Sequence, residues 1–467
     1  MMTNKEELKQ VWAEKFSVVP QVLKNMEQVQ SVATAFNANV DAVLKIKGKK
    51  LAELIRSENL TLSELKNIRQ AKLTSGKDVL RGIFKSFSRG IAEEWLTEDK
   101  KVYDWMVANL GYDRLQMGGQ GGIVANALAV SGVQKVFVHT NSLPKLQAEQ
   151  FLKTDNLFSF DENGQEKPAY QINRCQDVPL IHWIIEFDKG DEIMIDGQKF
   201  VCPKSNRFIA TYDPLNLNLV MDQAFIEKMK NQKMNYVVLS GYHALTEENN
   251  GVELVKKSMP IIQKWKQNGD IVHLEIASTQ DIAVRKAILH EIAPYVDSIG
   301  INEREAIDIL EVTGGETLAE KCNQSTHSVP LFEALLYIKK TLAAPRVQLH
   351  MFGLYMTLQD KNFGVSPEEN LRGMMLAATV AAGKAGTGNI NTKENLLWAQ
   401  GQQVSDIGLR EVENLAEFLE FRSLLETGMA EVENFDLIVV PTILVEKPLT
   451  LVGMGDTISS LSLVGAR

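Results

Sequence analysis

Beyond residue 215 the chain falls into one repeated pattern, and that repetition constrains the fold more than any other feature. Short apolar runs at 236–239, 271–276, 296–301, 346–351 and 437–440 read as strands, and helix-period sequence follows each. Apolar runs separated by helices predict a mostly parallel sheet covered on both faces. Ligands in such folds bind beyond the carboxyl ends of the strands, so polar residues found there are the first candidates for function. Two earlier strands are expected at 30–36 and 135–139. Between about 165 and 212 the pattern changes to alternating runs (180–187, 192–195, 207–212) separated by Asp188-Lys189-Gly190 and Asp196-Gly197 turns, which predicts hairpins. The expected architecture is a large α/β domain (1–38, 49–84, 119–164, 213–467) with a small discontinuous β lid (39–48, 85–118, 165–212). Within the large domain, 48–85 alternates charged and apolar residues at helical period and reads as solvated helices. No repeat, low-complexity tract or Pro/Gly/Ser linker divides the chain.

Charge and cysteine usage narrow the functional classes. A net charge of −9 argues against a wide nucleic-acid footprint. Cys175, Cys202 and Cys322 are too widely spaced for a zinc pattern and odd in number for a disulfide framework. The charged start, 1–15, lacks the apolar core of a signal peptide, and no run approaches the ~18 apolar residues of a membrane span. A monomer in a reducing cytoplasm, with no membrane partner, is expected.

Several short motifs carry chemistry. The stretch Val452-Gly453-Met454-Gly455-Asp456-Thr457 packs two glycines and a carboxylate before a helix expected from Thr457. Crowded backbone N–H groups and a helix N-terminus make an anion hole, with Asp456 at its rim. The plainer alternative is an N-cap Asp after a Gly turn. Asn37-Ala38-Asn39-Val40-Asp41 ends a strand with groups able to hydrogen-bond a polyhydroxylated ligand, or forms an Asx-rich turn. Gly118-Gly119-Gln120-Gly121-Gly122 allows close backbone approach; it does not follow a readable strand, so substrate contact is preferred to a nucleotide cradle. Tyr242, His243 and His350 stand at other strand ends. His273-x-Glu275 shares one face of a strand, and Asn302-x-x-Glu305 one side of a first helical turn. Together they suit a hydrated Mg²⁺; the alternatives are a core histidine and a capping box.

Taken jointly, Gly453–Ser459, Asn302-x-x-Glu305, His273-x-Glu275, Asn39-x-Asp41 and the Gly118–Gly122 run resemble the archaeal ADP-dependent sugar kinases, over residues 30 to 467 and in matching order. That resemblance implies a ribokinase-like, Rossmann-type large domain, a lid closing on sugar, and transfer of the β-phosphoryl of Mg·ADP with release of AMP. Residue by residue it implies Asp456 as base, with the Gly453–Asp456 amides, Gly455 included, and Arg207 at the phosphate. It implies Glu275, Glu305 and Asp456 near Mg²⁺, for which other divalent cations can substitute. Nucleotide contacts are implied at Asn302, His350, Val440 and Gly455, and sugar contacts at Asn39, Asp41, Glu94, Gly118, Gly119, Gln120 and His182. Gln120 stands where many relatives have Asn, and Met454 where Leu is usual. Glu94 matches a glutamate that binds glucose in the glucokinases, while Lys167, Arg174, Lys189, Lys204 and Arg207 supply cations for a sugar phosphate. The expected acceptors are therefore both fructose 6-phosphate and glucose. A kinase strict for either sugar, an ATP-dependent ribokinase-type enzyme and a non-catalytic binder of the same fold are the alternatives.

Overall fold

Strand Val32–Ala35 is buried along its whole length and lies inside an eleven-stranded sheet among the described residues. In this computed structural model, residues 5–67, 71–279, 281–450 and 453–467 are described. To one side of Val32–Ala35 run Tyr236–Leu239, Ile271–Glu275, Ser298–Asn302 and Arg346–Met351, and to the other Val136–Val138 and Leu157–Phe160, all parallel. Antiparallel strands extend both edges: Leu354–Asp360, Phe435–Pro441 and Met429–Val432 at one, Glu166–Pro168 at the other. The strands expected from sequence are present, and their continuous burial follows from helices on both faces. Strand order reverses at Val32–Ala35, since the chain passes first to Val136–Val138 and later to Tyr236–Leu239 on the opposite side. A crevice opens beyond the carboxyl ends of strands at such a reversal.

A second, five-stranded sheet is ordered Glu93–Thr97, Asn206–Tyr212, Ile181–Phe187, Asn39–Lys45, Arg114–Gly118. It has its own core of Trp95, Trp183, Phe187 and Phe208, closed by helices Gly48–Ser57, Gly76–Arg89 and Lys100–Asn109. Here the structure departs from the sequence-based assignment. Helices within 49–84 were expected to be solvated and to belong to the large body, but Leu51, Ile55, Val79, Leu80, Ile83 and Phe84 are buried in the small sheet's core. Their apolar residues recur at intervals of three and four and so form one stripe, while the intervening charges face water. In the other direction, Glu166–Pro168, Ala169 and Ile172 fall within the span assigned to the lid but join the large sheet and its core. No helix among the described residues is long and apolar enough to cross a membrane.

Candidate active site

Helix Met454–Val464 starts three residues earlier than expected, so Gly455 and Asp456 lie in its first turn, where backbone N–H groups have no intrahelical partner. Val452 lies outside the described residues. Gly453 caps the helix in the left-handed conformation (φ 61°), and a Cβ there would lie 2.6 Å from Ile123 Cδ1. A Cβ on Gly455 would lie 2.7 Å from His350 Nε2. Both glycines are thus required by the packing around the turn. Gln120 Nε2 donates to Asp456 Oδ1 (2.7 Å), and Gln120 Oε1 accepts from Gly241 N (3.2 Å). Gln120, expected among the sugar contacts, thus bridges Asp456 and the backbone of Gly241. Burial and the charge of Glu275 push the Asp456 pKa up to about 6, against the pull of Gln120, Lys384 and His243.

Beneath this turn lies a buried polar group. The Ser459 hydroxyl donates to Glu275, and His273 stands within 3.2 Å of Ser459 Oγ and 3.0 Å of Ser298 Oγ. Burial and the Arg346 guanidinium take the His273 pKa down to about 3, so the imidazole is neutral. Asn302 and Glu305 form a complete capping box: Asn302 N donates to Glu305 Oε2 (2.8 Å) and Glu305 N to Asn302 Oδ1 (3.0 Å). Burial and the negative charges of Glu275 and Asp456 nevertheless hold the Glu305 pKa well above the carboxylate range. Burial likewise raises that of Glu275. Desolvated carboxylates that repel one another form an all-oxygen donor set suited to a hard cation. Among the described residues no group of three or more His, Cys, Asp or Glu side chains is placed to hold a metal ion. His350 pairs in register with Asn302 and has a buried Nδ1 with no partner among the described residues. Val440, expected near the nucleotide, has its side chain fully buried within the sheet.

The small sheet's open face, the one its own helices leave uncovered, is set in three rows by strand register, and Asp41, Val43, Ile184 and Thr211 on it are buried by the rest of the chain. Gln116, Asp41, His182, Thr211 and Leu96 form the first; Arg114, Val43, Ile184, Ile209 and Glu94 the second; Lys45, Glu186 and Arg207 the third. Residues opposite one another across a sheet share a face, so Asp41, His182, Glu94 and Arg207 look out together. Asn39 Nδ2 donates to Asp41 Oδ1 (3.0 Å), and Thr211 Oγ1 to Glu94 Oε1 (2.6 Å). Burial opposes protonation of His182, but Asp213, 3.0 Å away, together with Glu94 and Asp41, raises its pKa above the ordinary value. Burial pushes the Asp41 pKa up.

Arg114–Gly118 is a strand and leads straight into helix Gln120–Ser131, which corrects the expectation that the glycine run follows none. Its residues Arg-Leu-Gln-Met alternate polar and apolar as a strand covered on one face should, but the run is only four long before the glycines begin, too short to stand out in the sequence. A Cβ on Gly118 would lie 2.1 Å from Asp41 Oδ1, and one on Gly119 (φ 72°) 2.0 Å from Asn37 Oδ1. The cations proposed for a sugar phosphate do not gather. Lys167 pairs with Asp161 on the large sheet, and Arg174 is buried against Asp222 and the carbonyls of Phe160 and Thr140. Lys189 and Lys204 flank the hairpin turn region, and only Arg207 of the five stands on the open face. Its guanidinium has no partner among the described residues.

Two more residues join the site, His243, singled out from sequence only by its place at a strand end, and Lys384, not singled out at all. His243 Nδ1 is buried with no partner among the described residues, and burial lowers the His243 pKa against the charges of Glu94 and Asp456. Lys384 donates to Gly453 O (3.0 Å) from within an Ala- and Gly-rich helix. A lone lysine in that apolar context was the only available signal.

The sequence pattern described as ADP-specific Phosphofructokinase/Glucokinase conserved region matches residues 30–465. An ADP-dependent glucose/glucosamine kinase of Pyrococcus furiosus is 31% identical over 465 residues, covering 97% of this chain and 98% of the relative. A solved structure titled as the last common ancestor of ADP-dependent phosphofructokinases from Methanosarcinales is 31% identical, with a TM-score of 0.84 and 99% of both chains covered. Another, an ADP-dependent kinase in complex with fructose-6-phosphate and ADPβS, is 30% identical, with a TM-score of 0.81, covering 99% of this chain and 98% of that one. With its ribokinase-like α/β body, its smaller sheet and Asp456 on a glycine turn between them, the chain belongs to the ADP-specific phosphofructokinase/glucokinase family.

Proposed function

We propose that this enzyme transfers the β-phosphoryl group of ADP to the 1-hydroxyl of fructose 6-phosphate and to the 6-hydroxyl of glucose, releasing AMP. The observation that carries the reading is Asp456, held by Gln120 in the first turn of a helix whose free N–H groups surround it. A sugar on the open face of the small sheet, hydrogen-bonded by Asp41, Asn39 and His182, would offer one hydroxyl to that carboxylate. The hydroxyl oxygen forms a bond to the β-phosphorus as the bond from phosphorus to the bridging oxygen breaks. Asp456 takes the hydroxyl proton, and the bridging oxygen leaves on AMP. The amides of Gly453 to Asp456 receive the charge that develops on the transferring group. Glu275 and Glu305, with Asp456 at the rim, are the residues that would hold Mg²⁺ or another divalent cation, whose chemistry would be to offset phosphate charge. Closure of the small sheet over the large one would exclude water that could otherwise take the phosphoryl group.

Both acceptors are proposed because two features share the open face. Glu94 can accept hydrogen bonds from the hydroxyls of a neutral sugar, and Arg207 has an uncommitted guanidinium for a sugar phosphate. Free thiols at Cys175, Cys202 and Cys322 support a reducing cytoplasm, and we take the active unit to be a monomer. A coupled assay crossing ADP and ATP with glucose and fructose 6-phosphate tests the whole proposal. ADP should drive both sugars and ATP neither. Turnover with ATP would favour the ribokinase-type alternative, and binding without turnover a non-catalytic role.

A further inference from the structure

Lys384 sits where a lysine has no packing reason to be. It lies near the end of helix Pro367–Thr387, beside buried Ala381, Ala382, Gly383 and Ala385, and is 7% exposed. An ammonium in that setting loses its hydration, and a Met or Leu of similar length would fill the space without that penalty. No carboxylate lies within ion-pair distance of it among the described residues. Its hydrogen bond is to Gly453 O at 3.0 Å, and the same oxygen accepts from Thr457 Oγ1 at 2.7 Å. Two donors, one of them charged, therefore hold the carbonyl of the peptide whose N–H belongs to Met454, the first residue of the helix. Hydrogen bonding at the oxygen of a peptide polarises it and strengthens its N–H as a donor, more so when the partner is ionised.

We propose that Lys384 is a positioning residue of the phosphoryl-transfer site, fixing and polarising the Gly453–Met454 peptide so that its N–H meets the transferring phosphoryl group. The inference rests on the ADP-kinase reading above. The same contact bears on why residue 453 is a glycine: a Cβ there would lie 3.2 Å from Lys384 Nζ, besides meeting Ile123. The charges of Asp456 and Asp41, the proposed base and a proposed sugar contact, both act on this ammonium through space. Burial takes its pKa down to about 8, which leaves it mostly protonated at neutral pH. A cavity of about 330 Å³ is lined by Lys384 together with Gln116, Ile123, Asn126, Lys153 and Asn391.

That cavity makes a decisive experiment possible, because a small amine can reach the position of a truncated side chain. Wild type, Lys384→Met and Lys384→Ala would be assayed with ADP and fructose 6-phosphate, and their affinities for ADP and AMP measured by calorimetry. In K384M, kcat should fall ~10–100-fold, less than or comparable to loss of an oxyanion-hole donor, with sugar KM within about 3-fold of wild type. ADP should lose more affinity than AMP, since only ADP carries a β-phosphoryl group to meet the turn. In K384A, propylammonium should restore part of kcat, and 1-propanol should not. A K384M kcat within about 3-fold of wild type overturns the proposal. So does an unchanged ratio of ADP to AMP affinity together with no amine rescue. If both variants unfold, Lys384 is a structural tie and the proposal fails. Wild type without any turnover would defeat the kinase reading instead, while the affinity ratio still judges Lys384.

Discussion

Asp456 must be ionised to accept a proton, and its surroundings set where that happens. Burial and Glu275 raise its pKa to about 6, so the active form is lost as pH falls through that value. The acid limb of kcat/KM should therefore drop about tenfold per pH unit below about 6, and a profile flat down to about pH 5 would count against the assignment. Asp456→Asn keeps the size and can still pair with Gln120, yet removes the base; kcat should fall ~10²–10⁴-fold with ADP affinity retained. A variant keeping a tenth of the wild-type kcat would remove Asp456 from that role. Glu94 makes a narrower prediction. It stands on the open face with one carboxylate oxygen bonded by Thr211, leaving the other for a sugar hydroxyl. Glu94→Ala should lower kcat/KM for glucose ~10²-fold or more, because the hydroxyls lose their acceptor, and leave fructose 6-phosphate turnover within several-fold. Equal loss with both sugars would make Glu94 structural.

The capping box of helix Glu303–Thr313 shows how one element can serve stability and charge at once. Glu305 closes the box through Asn302 N, and glutamine is equally able to do so. Glu305→Gln therefore separates the two roles. The folded-state pKa of Glu305 is raised, so its ionised form, prevailing in the unfolded chain above the ordinary carboxylate range, is disfavoured by folding. Removing that charge should leave the melting temperature at pH 7 unchanged or higher. The half-saturating Mg²⁺ concentration should rise and activity fall, because an amide orders the waters of the ion less strongly than a carboxylate. A lower melting temperature with unchanged Mg²⁺ response would return Glu305 to capping alone. The short strand Arg114–Gly118 and the helix Gln120–Ser131 act as a second unit, carrying Gln120 from the small sheet to Asp456 on the large one.

At the scale of the molecule, each sheet has its own hydrophobic core, and Lys45 and Arg207 in the third row of the small sheet are exposed. If sugar and nucleotide draw the sheets together, solution scattering should show a smaller radius of gyration with fructose 6-phosphate and a non-hydrolysable ADP analogue than without ligands. An identical scattering curve would refute closure. The sequence by itself determined the large sheet, because strands buried on both faces are continuous apolar runs that need no partner to be recognised. It also determined the glycine turn and Asp456, since a helix start crowded with glycines is a local feature. Tertiary structure decided the rest. The helices of 49–84 went to the small sheet because their apolar stripe matches a surface that is distant in sequence. Arg174 and Lys167 turned away from the site because Asp222 and Asp161 lie nearer. Gln120 and Lys384 meet the turn at 453–456 across sequence separations of hundreds and tens of residues. No local pattern encodes such a meeting, because it depends on which strand ends the sheet order brings together.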